Sequence, residues 1–578
     1  MKKNLLSIIV LLMCACSAMA QDFAIGADIG WNTEMESKGM KWYNWAGEER
    51  TECTALMKEL GMNAVRIRVW VNPEKHGNWC SKEDVLEKAK RAKTLGMDVM
   101  IDFHYSDWWA DPAKQNIPAA WEKYSFKKMQ KALADHTVEV LTLLKDNGIT
   151  PKWVQVGNET TNGLLWSVEM DPQTGWEKKD AEGKTIITKA MGHVERNPKQ
   201  YGAFIGAGYD AVKSVFPNAI VIIHLDNGFD NDLYNRNLDI VKANGGKWDM
   251  IGMSLYPFWA KESGKEDNAV MTINDCVKNI RKVTKKYGCD VMIVETGYEV
   301  DPQNPWKMQQ GRGDYALLIR RMKEDTEGRC KGVFYWEPEC RPSQYKLGAF
   351  DEQGHPTDIL RALVGIENGK LNIQNYDRRV VKIKTNLGDI YVELYNETPG
   401  HRDNFLRLAK SGALEGTLFH RVIEDFMIQG GDPDSKDAPK TMEENPAPLL
   451  GEGNVKTAEG NDTISAEIIY PRFFHKRGVL AAAREGDAEN PTKASSSSQF
   501  YITWGKYPGK VGKNPFKPLL DYYKEYGNAG TPWLDGGYTV FGEVISGLEV
   551  VDKIQKSRTD SNDRPLRDAR IEKMEVIY

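Results

Sequence analysis

The sequence has no marked excess of charge of either sign. Its 578 residues include 77 basic and 82 acidic residues, for a net charge of -5. Long runs of like charge are also missing, whereas proteins that bind nucleic acids or membrane surfaces usually carry a basic patch or tail. The composition therefore predicts no nucleic-acid partner and favours small molecules or other proteins.

Cysteine is scarce, and none occurs after residue 340. Two of the eight cysteines lie in the first twenty residues, and the others are Cys53, Cys80, Cys276, Cys289, Cys330 and Cys340. Because no CxxC pair or His/Cys cluster has the spacing of a zinc site, a zinc finger is excluded. Disulfides, if the chain is exported, and buried free thiols are two open alternatives.

Long apolar runs are missing after the N-terminus, so no later segment predicts a membrane-spanning helix. Residues 1–20, MKKNLLSIIVLLMCACSAMA, have the lysine start, short apolar core and small-residue end of a secretory signal peptide cleaved after Ala20. Lipid attachment at Cys16 is the alternative, although Met13-Cys14-Ala15 is a poor lead-in to it. We therefore expect an exported protein, periplasmic or secreted, with membrane contact only if it is lipid-anchored through Cys16.

Residues 21–364 alternate strand-like and amphipathic helical stretches. The strand-like runs are FAIGADIGW, NAVRIRVWV, DVMIDFHYS, WVQVGNE, AIVIIHLDNG, DMIGMSLYP, DVMIVETGY and GVFYWEP. A doubly wound sheet would usually have fewer strands and a phosphate-binding glycine loop after a strand. The nearest match to such a loop, GAGYDA at 206–211, lies inside a helical pattern. The pattern therefore predicts an α/β fold of the (β/α)8 TIM-barrel type.

The pattern changes after the barrel. Residues 365–379, GIENGKLNIQNYDRR, are polar with Gly and Asn, as expected of a linker. Residues 380–578 contain short alternating strands with isolated helices, which predict a separate and mostly antiparallel domain.

Two predicted strands of the barrel end in glutamate. Glu159 follows the fourth strand and Glu295 ends the seventh. The carboxyl ends of barrel strands form the active face, and glycoside cleavage needs one carboxylic acid and one carboxylate. A single glutamate there would more simply cap a helix or face solvent, but two at matching strand ends favour catalysis. We expect Arg66 to keep Glu295 ionised, Asn158 to bind a sugar hydroxyl and Glu159 to have a raised pKa.

The strings NAVRIRVWVNP, DFHYSDWWADPAKQ, VQVGNE, HLDNG, SLYPFW, VETGY and YWEPE occur in this order. Together they resemble glycoside hydrolase family 53, the endo-β-1,4-galactanases, over about residues 22–363. The resemblance implies a retaining enzyme that acts on β-1,4-galactan, with Glu159 as general acid/base, Glu295 as nucleophile and carboxyl groups roughly 5 to 5.5 Å apart. It also implies a substrate cleft formed by Arg66, His104, Trp109, Asn158, His224, Tyr256 and Trp336.

The chain departs from this family in two places. Some members hold calcium in an Asp-rich loop near the seventh and eighth strands, but EVDPQNPWKMQQGRGDY lacks a close run of acidic ligands. We therefore predict no obligatory metal and no cofactor. The insertion SVEMDPQTGWEKKDAEGKTIITKAMGHVERN after the fourth strand is long enough to reshape the cleft. A mannanase, a xylanase and a non-catalytic glycan binder are the alternatives. The Arg312-Gly313-Asp314 tripeptide is attributed to chance rather than to adhesion.

In the second half, FHRVIEDFMIQGGD, SSQFYITW and WLDGGYTVFGEV resemble the cyclophilin-type peptidyl-prolyl isomerases, which implies a cyclophilin-like β-barrel. Rotation about an X-Pro amide has a barrier of about 18–20 kcal/mol and breaks no bond, so a donor to the proline nitrogen and a dry pocket suffice. By this resemblance Arg421 is the donor, and proline-containing peptides or proteins are the partners. The implied peptide-binding residues are Phe426, Met427, Gln429, Tyr501 and Leu534.

The second resemblance is also incomplete. Arg484 stands where many cyclophilins have Asn, and Tyr538 stands where His is common. Residues 433–477 form an enlarged insertion, which its composition predicts to be a surface excursion. A peptide-binding module with negligible turnover is the alternative for this half.

Overall fold

The first domain is a (β/α)8 barrel, as predicted. The computed structural model describes residues 23–506, 516–527 and 529–578, so the predicted signal peptide and Cys16 lie outside the described residues. The barrel strands are β1 (Ala24–Asp28), β2 (Ala64–Val69), β3 (Asp98–Phe103), β4 (Trp153–Val156), β5 (Ile220–Leu225), β6 (Met250–Ser254), β7 (Asp290–Glu295) and β8 (Cys330–Trp336). They pair in parallel in chain order, and β8 pairs with β1 to close the barrel.

Helices cover the outside of these strands. They are α1 (Asn32–Ser37), α2 (Cys53–Glu59), α3 (Lys82–Thr94), α4 (Phe126–Asp146), α5 (Pro198–Val215), α6 (Asn231–Ala243), α7 (Pro257–Glu262), α8 (Ala269–Tyr287) and α9 (Pro305–Glu324). Helix α3 shows why they form here: the Ser81 side chain caps its first turn by accepting the Asp84 amide. Val85, Ala89 and Ala92, spaced by three or four residues, then form its buried face.

The lower part of the barrel interior is apolar and close-packed. Its buried side chains are Ala24, Ala64, Met100, Trp153, Ile222, Met250, Met292, Val294 and Phe334. The small residues Ala24 and Ala64 lie on the adjacent strands β1 and β2, and the other strands contribute larger side chains. At Gly26 of β1, an added Cβ would lie 2.2 Å from the Phe334 ring, so a side chain there is excluded. This layer supports the strand ends above it, where the polar residues lie.

The second domain is mostly antiparallel, as predicted, and the strands of the predicted cyclophilin-like β-barrel form one eight-stranded half-barrel sheet. Its strands are β9 (Arg379–Thr385), β10 (Gly388–Leu394), β11 (Arg421–Ile423), β12 (Met427–Gly430), β13 (Val479–Ala482), β14 (Phe500–Thr503), β15 (Val540–Ser546) and β16 (Ile571–Val576). They are ordered β11-β12-β14-β13-β15-β10-β9-β16. Its helices are α10 (Pro399–Ser411), α11 (Lys517–Glu525) and α12 (Leu548–Gln555).

A cluster of buried charges joins the two domains. Arg312 on α9 of the barrel forms an ion pair with Glu393 on β10 at 2.8 Å and another with Glu543 on β15. Arg378, just before β9, also contacts Glu393 at 2.6 Å. Asp358 at the end of the barrel contacts Arg472 of the second domain at 3.3 Å. We call these six residues the interdomain charge cluster.

Aromatic residues extend this contact. Trp306 at the start of α9 packs in one buried cluster with side chains of the second domain, namely Phe474, Leu519, Tyr522 and Tyr523. The Tyr526 hydroxyl donates to Asp314 of α9 at 2.6 Å. The contact therefore combines charged pairs with buried aromatic surface.

The six cysteines outside the predicted signal peptide are free thiols in the described part of the chain, and all except the partly exposed Cys289 are buried. This finding decides between the two alternatives left open by the sequence. Within the same residues, no helix has the length and apolar character needed to cross a membrane.

Candidate active sites

The two glutamates predicted to be catalytic lie at the carboxyl ends of their strands. Glu295 is the last residue of β7. Glu159 lies three residues beyond β4 and has left-handed backbone angles, φ 44° and ψ 54°. A non-glycine residue in this region is strained, and such strain is common at functional sites. The backbone thus holds the Glu159 carboxyl in an unusual direction at the barrel mouth.

Glu295 contacts groups that stabilise a negative charge. Arg66 Nη1 lies 2.9 Å from its Oε1, and the Tyr256 hydroxyl donates to its Oε2 at 3.0 Å. Burial, with the negative charges of Asp28 and Asp102, raises the pKa of Glu295 to about 7, while Arg66 and the Tyr256 hydrogen bond oppose this rise. Arg66 and Tyr256 are therefore the contacts that favour the ionised form of Glu295.

Arg66 lies beneath the pair, fully buried on β2. Its guanidinium also forms ion pairs with Asp28 at 2.5 Å and Asp102 at 2.9 Å, and donates to Asn158 Oδ1 at 2.7 Å. The planar fork of an arginine suits several fixed acceptors at once. Arg66 thereby fixes the position of Glu295 and of the Asn158 side-chain amide, which precedes Glu159 in the chain.

Glu159 has a different environment, which favours its protonated form. Burial raises its pKa well above the usual value, and the negative charges of Glu295 and Asp226 raise it further. Ser254 Oγ donates to Glu159 Oε1 at 2.6 Å, and this hydrogen bond partly opposes the rise. Because only Glu295 contacts Arg66, the surroundings favour a proton on Glu159 and the charge on Glu295.

His224 supports this arrangement from below. Its Nδ1 accepts the Glu159 amide N–H at 3.2 Å, and its Nε2 lies 2.8 Å from Ser254 Oγ. We assign the Nε2–H tautomer from these contacts, because Nδ1 acts as an acceptor. Burial and the nearby Arg66 lower the pKa of His224 well below its usual value, so the ring is neutral. His224 therefore orients Ser254 and Glu159.

A cavity of about 510 Å³ lies above the pair. The predicted site residues on its wall are His104, Trp109, Asn158, Glu159, Tyr256, Glu295 and Trp336. Trp109 is held by Arg68, whose guanidinium lies 4.1 Å from its ring centre. Trp336 packs edge-on against Tyr345 at 4.7 Å.

His104 lines this cavity with both ring nitrogens engaged. Its Nε2 lies 3.0 Å from Asp102 Oδ2, and its Nδ1 accepts the Ala110 amide at 3.2 Å. Its contacts therefore hold the loop that carries Trp109.

Sequence reasoning missed several residues of this site. They are Asp28, Asp102, Gln155 and Ser254 beneath the carboxyls and Trp176, Trp259 and Tyr345 on the cavity wall. Asp28, Asp102 and Gln155 carried a usable signal, because each is a polar residue inside an otherwise apolar strand. Trp176 and Tyr345 lie on loops and Trp259 lies on the short helix α7, and in none of these places does the sequence pattern show that the side chain faces the cavity.

The predicted peptide-binding residues of the second domain also come together. A pocket of about 170 Å³ is lined by Arg421, Phe426, Met427, Gln429, Tyr501 and Leu534, together with Ala483, Arg484 and Tyr538. The Arg421 side chain is half-exposed, and its Nε lies 3.5 Å from Asp563. The pocket thus has an apolar floor with a cation at its edge.

The two atypical residues of this pocket contact each other. The Arg484 guanidinium lies 4.4 Å from the Tyr538 ring centre, donates to Gly537 O at 2.8 Å and pairs with Asp487 at 2.7 Å. Arg484 therefore fastens one wall of the pocket. In the described ranges no group of three or more His, Cys, Asp or Glu side chains is placed to hold a metal.

A closed parallel barrel with two buried carboxyls at its mouth is the architecture of a glycoside-cleaving enzyme. Comparison with known families agrees: residues 24–361 match glycosyl hydrolase family 53, and the chain belongs to this family. Residues 380–576 match the cyclophilin type peptidyl-prolyl cis-trans isomerase family. Both are enzyme families, which supports glycan hydrolysis by the first domain and prolyl isomerisation by the second.

Individual proteins are similar to one half or the other. The endo-beta-1,4-galactanase of Bacillus subtilis (strain 168) is 30% identical over 346 residues, which cover 56% of this chain and 72% of that protein. The solved structure of the Ignisphaera aggregans GH53 catalytic domain is 27% identical, with a TM-score of 0.50, over 60% of this chain and 97% of that one. A Cryptosporidium parvum cyclophilin type isomerase is 27% identical over 34% of this chain and 97% of that chain, with a TM-score of 0.26.

Proposed function

We propose that the barrel hydrolyses internal β-1,4-galactosidic bonds of galactan or arabinogalactan with retention of configuration. The observation that carries this proposal is the unequal environment of the two carboxyls. Each carboxyl accepts one hydroxyl, but Glu295 also contacts the Arg66 cation, whereas Glu159 faces the negative charges of Glu295 and Asp226. The galactanase names of its relatives support galactan as the substrate.

The two carboxyls then have separate tasks. Glu295 attacks the anomeric carbon while Glu159 gives its proton to the glycosidic oxygen, which leaves with the rest of the chain. A glycosyl ester on Glu295 results. Glu159, now ionised, takes a proton from a water molecule that attacks the same carbon and releases Glu295. Two inversions give net retention, and both carboxyls return to their initial protonation states.

The first test is the release of reducing ends from linear β-1,4-galactan, with mannan and xylan as comparison polymers. We expect release from galactan only, and its loss in the Glu295→Gln variant, because an amide cannot act as the nucleophile. NMR of the first products should show the β-anomer. Release of the α-anomer would contradict retention, and preferential cleavage of mannan or xylan would contradict the substrate.

We further propose that the second domain isomerises X-Pro bonds. Arg421 at the pocket edge would donate to the proline nitrogen and weaken the amide resonance, with the ring on the floor of Phe426, Met427 and Leu534. Isomerisation of a proline-containing peptide, followed by NMR exchange, tests this. We expect a large rate loss in Arg421→Ala, and peptide binding without any acceleration by the wild type would support a binding module instead.

Export is also proposed, on the basis of residues 1–20. N-terminal sequencing of the protein from the producing cell should begin at Gln21. Radioactive palmitate incorporated at Cys16 would support the lipid-anchored alternative.

A further inference from the structure

A second hollow lies beside the catalytic cavity. It has a volume of about 800 Å³ and shares Trp109, Lys114 and Trp176 with the cavity above the carboxyl pair. The two hollows therefore form one continuous groove across the barrel face. The added part is bordered by Trp108 and by polar side chains that include Asp107, Asn116 and Glu122.

The insertion after β4 forms the far wall of this added groove. Ser167–Val168 pairs with Ile187–Lys189 as a hairpin. Its base is fixed to the preceding barrel loop, because the Val168 amide donates to Asn116 Oδ1 at 3.0 Å and Ser167 Oγ accepts the Ile117 amide at 3.1 Å. The base of the hairpin is thus anchored to the barrel surface by hydrogen bonds.

Trp176 is held near the tip of this hairpin. The Asp171 amide donates to Trp176 O at 2.8 Å, and the Gly175 amide donates to Asp171 O at 2.8 Å. The next residue, Glu177, forms an ion pair with Lys114 across the groove at 2.8 Å. The backbone is fixed by these contacts, yet 68% of Trp176 is exposed. Such a large apolar ring exposed on an anchored turn suggests a ligand that covers it.

Trp108 is the second exposed ring. It is 37% exposed and stacks on His76, with ring centres 3.6 Å apart and planes at 20°. Its other neighbour is the buried Trp70, at 4.4 Å. These contacts fix the indole plane, so Trp108 offers a flat, pre-oriented surface at low entropic cost.

We propose that Trp176, which lines both hollows, and Trp108, which lines only the second, form additional galactose-binding subsites that hold the polymer chain where it leaves the catalytic cavity. The inference rests on the proposed galactanase function. The apolar face of a galactose ring stacks on an indole, while its hydroxyls need the polar neighbours that Asp107, Asn116 and Glu122 supply. Because the groove is continuous with the cavity, its occupant is the same galactan chain.

The test compares a polymer with a short substrate. In Trp108→Ala, kcat/KM on linear galactan should fall about three- to tenfold more than kcat/KM on galactotetraose, since Trp108 lies outside the catalytic cavity and only the longer chain loses its stacking contact. Trp176→Ala should lower kcat/KM on both substrates, because Trp176 also lines the catalytic cavity. Trp108→Phe should recover part of the loss. Trp533→Ala, which removes a 36% exposed tryptophan from the second domain, is the matched control and should leave the ratio unchanged.

A second readout is independent of turnover. In the Glu295→Gln background, Trp108→Ala should weaken binding of galactan more than binding of galactotetraose. An equal effect on both substrates, or no effect, would overturn the inference even if galactan is cleaved. A wild-type protein that cleaves neither substrate would instead overturn the proposed galactanase function. If these variants lost activity only on arabinose-branched galactan, the inference would be overturned, because the groove would then bind arabinose side branches and not the galactan chain.

Discussion

At the scale of single residues, one buried arginine organises the catalytic carboxyls. Arg66 contacts Asp28, Asp102 and Glu295, so the centre combines one guanidinium with several acids. The repulsion among the acids is relieved if one of them holds a proton, and Glu159 lacks the contact with Arg66 that Glu295 has. The division of labour therefore follows from which carboxyl the arginine reaches.

Replacing Tyr256 by Phe should move the acidic limb of the pH profile of kcat/KM to higher pH, by about one unit. The lost hydroxyl donates to ionised Glu295, so its removal raises the pKa of Glu295, and the nucleophile is protonated over a wider range. The profile is measured on galactan. Tyr209→Phe on the outside of the barrel is the control, and an acidic limb that moves to lower pH would contradict the assignment.

Replacing Asp226 by Asn should move the alkaline limb to lower pH. The negative charge of Asp226 raises the pKa of Glu159, so its loss lets Glu159 give up its proton earlier as the pH rises. The same kinetic profile measures this shift. A shift of the acidic limb in the Tyr256 variant and of the alkaline limb in the Asp226 variant would support Glu295 as nucleophile and Glu159 as acid. A shift of the acidic limb in both variants would contradict this assignment.

The residues that could be predicted from the sequence are those whose neighbours in the chain are distinctive. Glu159 lies in VQVGNE and Glu295 in VETGY, and both are found at the strand ends. Ser254 was missed because its importance comes from a partner far away in the chain, and Asp28, although it is a polar residue in an apolar strand, gave no sign of which residue it contacts. Ser254 contacts Glu159, 95 residues earlier, and Asp28 contacts Arg66, 38 residues later.

At the scale of elements, the barrel strands form where the apolar runs predict them, because their burial on both faces leaves a strong signal. The packing inside the barrel was not predictable in the same way. Gly26 of β1 lies against Phe334 of β8, and a small residue there is required by a neighbour more than 300 residues away.

Gly26→Val should lower the free energy of unfolding by about 1–3 kcal/mol or more, because the new side chain overlaps the Phe334 ring. Urea unfolding followed by tryptophan fluorescence measures the change. Gly365→Val, where the nearest atom to an added Cβ is 3.9 Å away, is the control. Adding Phe334→Ala should restore part of the loss in the Gly26 variant, and strict additivity of the two changes would contradict the proposed overlap.

At the scale of the whole molecule, the domains meet through the interdomain charge cluster. Sequence reasoning predicted two domains but not this contact, since no local pattern marks which helix faces another domain. The Arg312-Gly313-Asp314 tripeptide illustrates the difference: Arg312 and Asp314 are both buried at this contact. The structure therefore gives these residues a role in the contact between the domains.

Arg312→Ala should destabilise the whole chain by about 3–5 kcal/mol, because it leaves Glu393 and Glu543 with less compensation for their burial. The measurement is the urea midpoint of the full-length protein. Arg320→Ala, on the same helix but paired only at the surface with Glu324, is the matched control and should change little. Equal midpoints for the two variants would show that the cluster contributes no net stability.

The predicted linker ends inside this contact. Tyr376 and Arg378 are buried and both bond to Glu393, so the chain between the domains is fastened to the second sheet. The two domains consequently tumble as one body, and the peptide pocket of the second domain keeps a fixed orientation relative to the cavity of the barrel. If the barrel binds galactan as proposed, the second domain is held at a fixed orientation to the polysaccharide, and the peptide pocket is then accessible only from the side that faces away from the interdomain charge cluster.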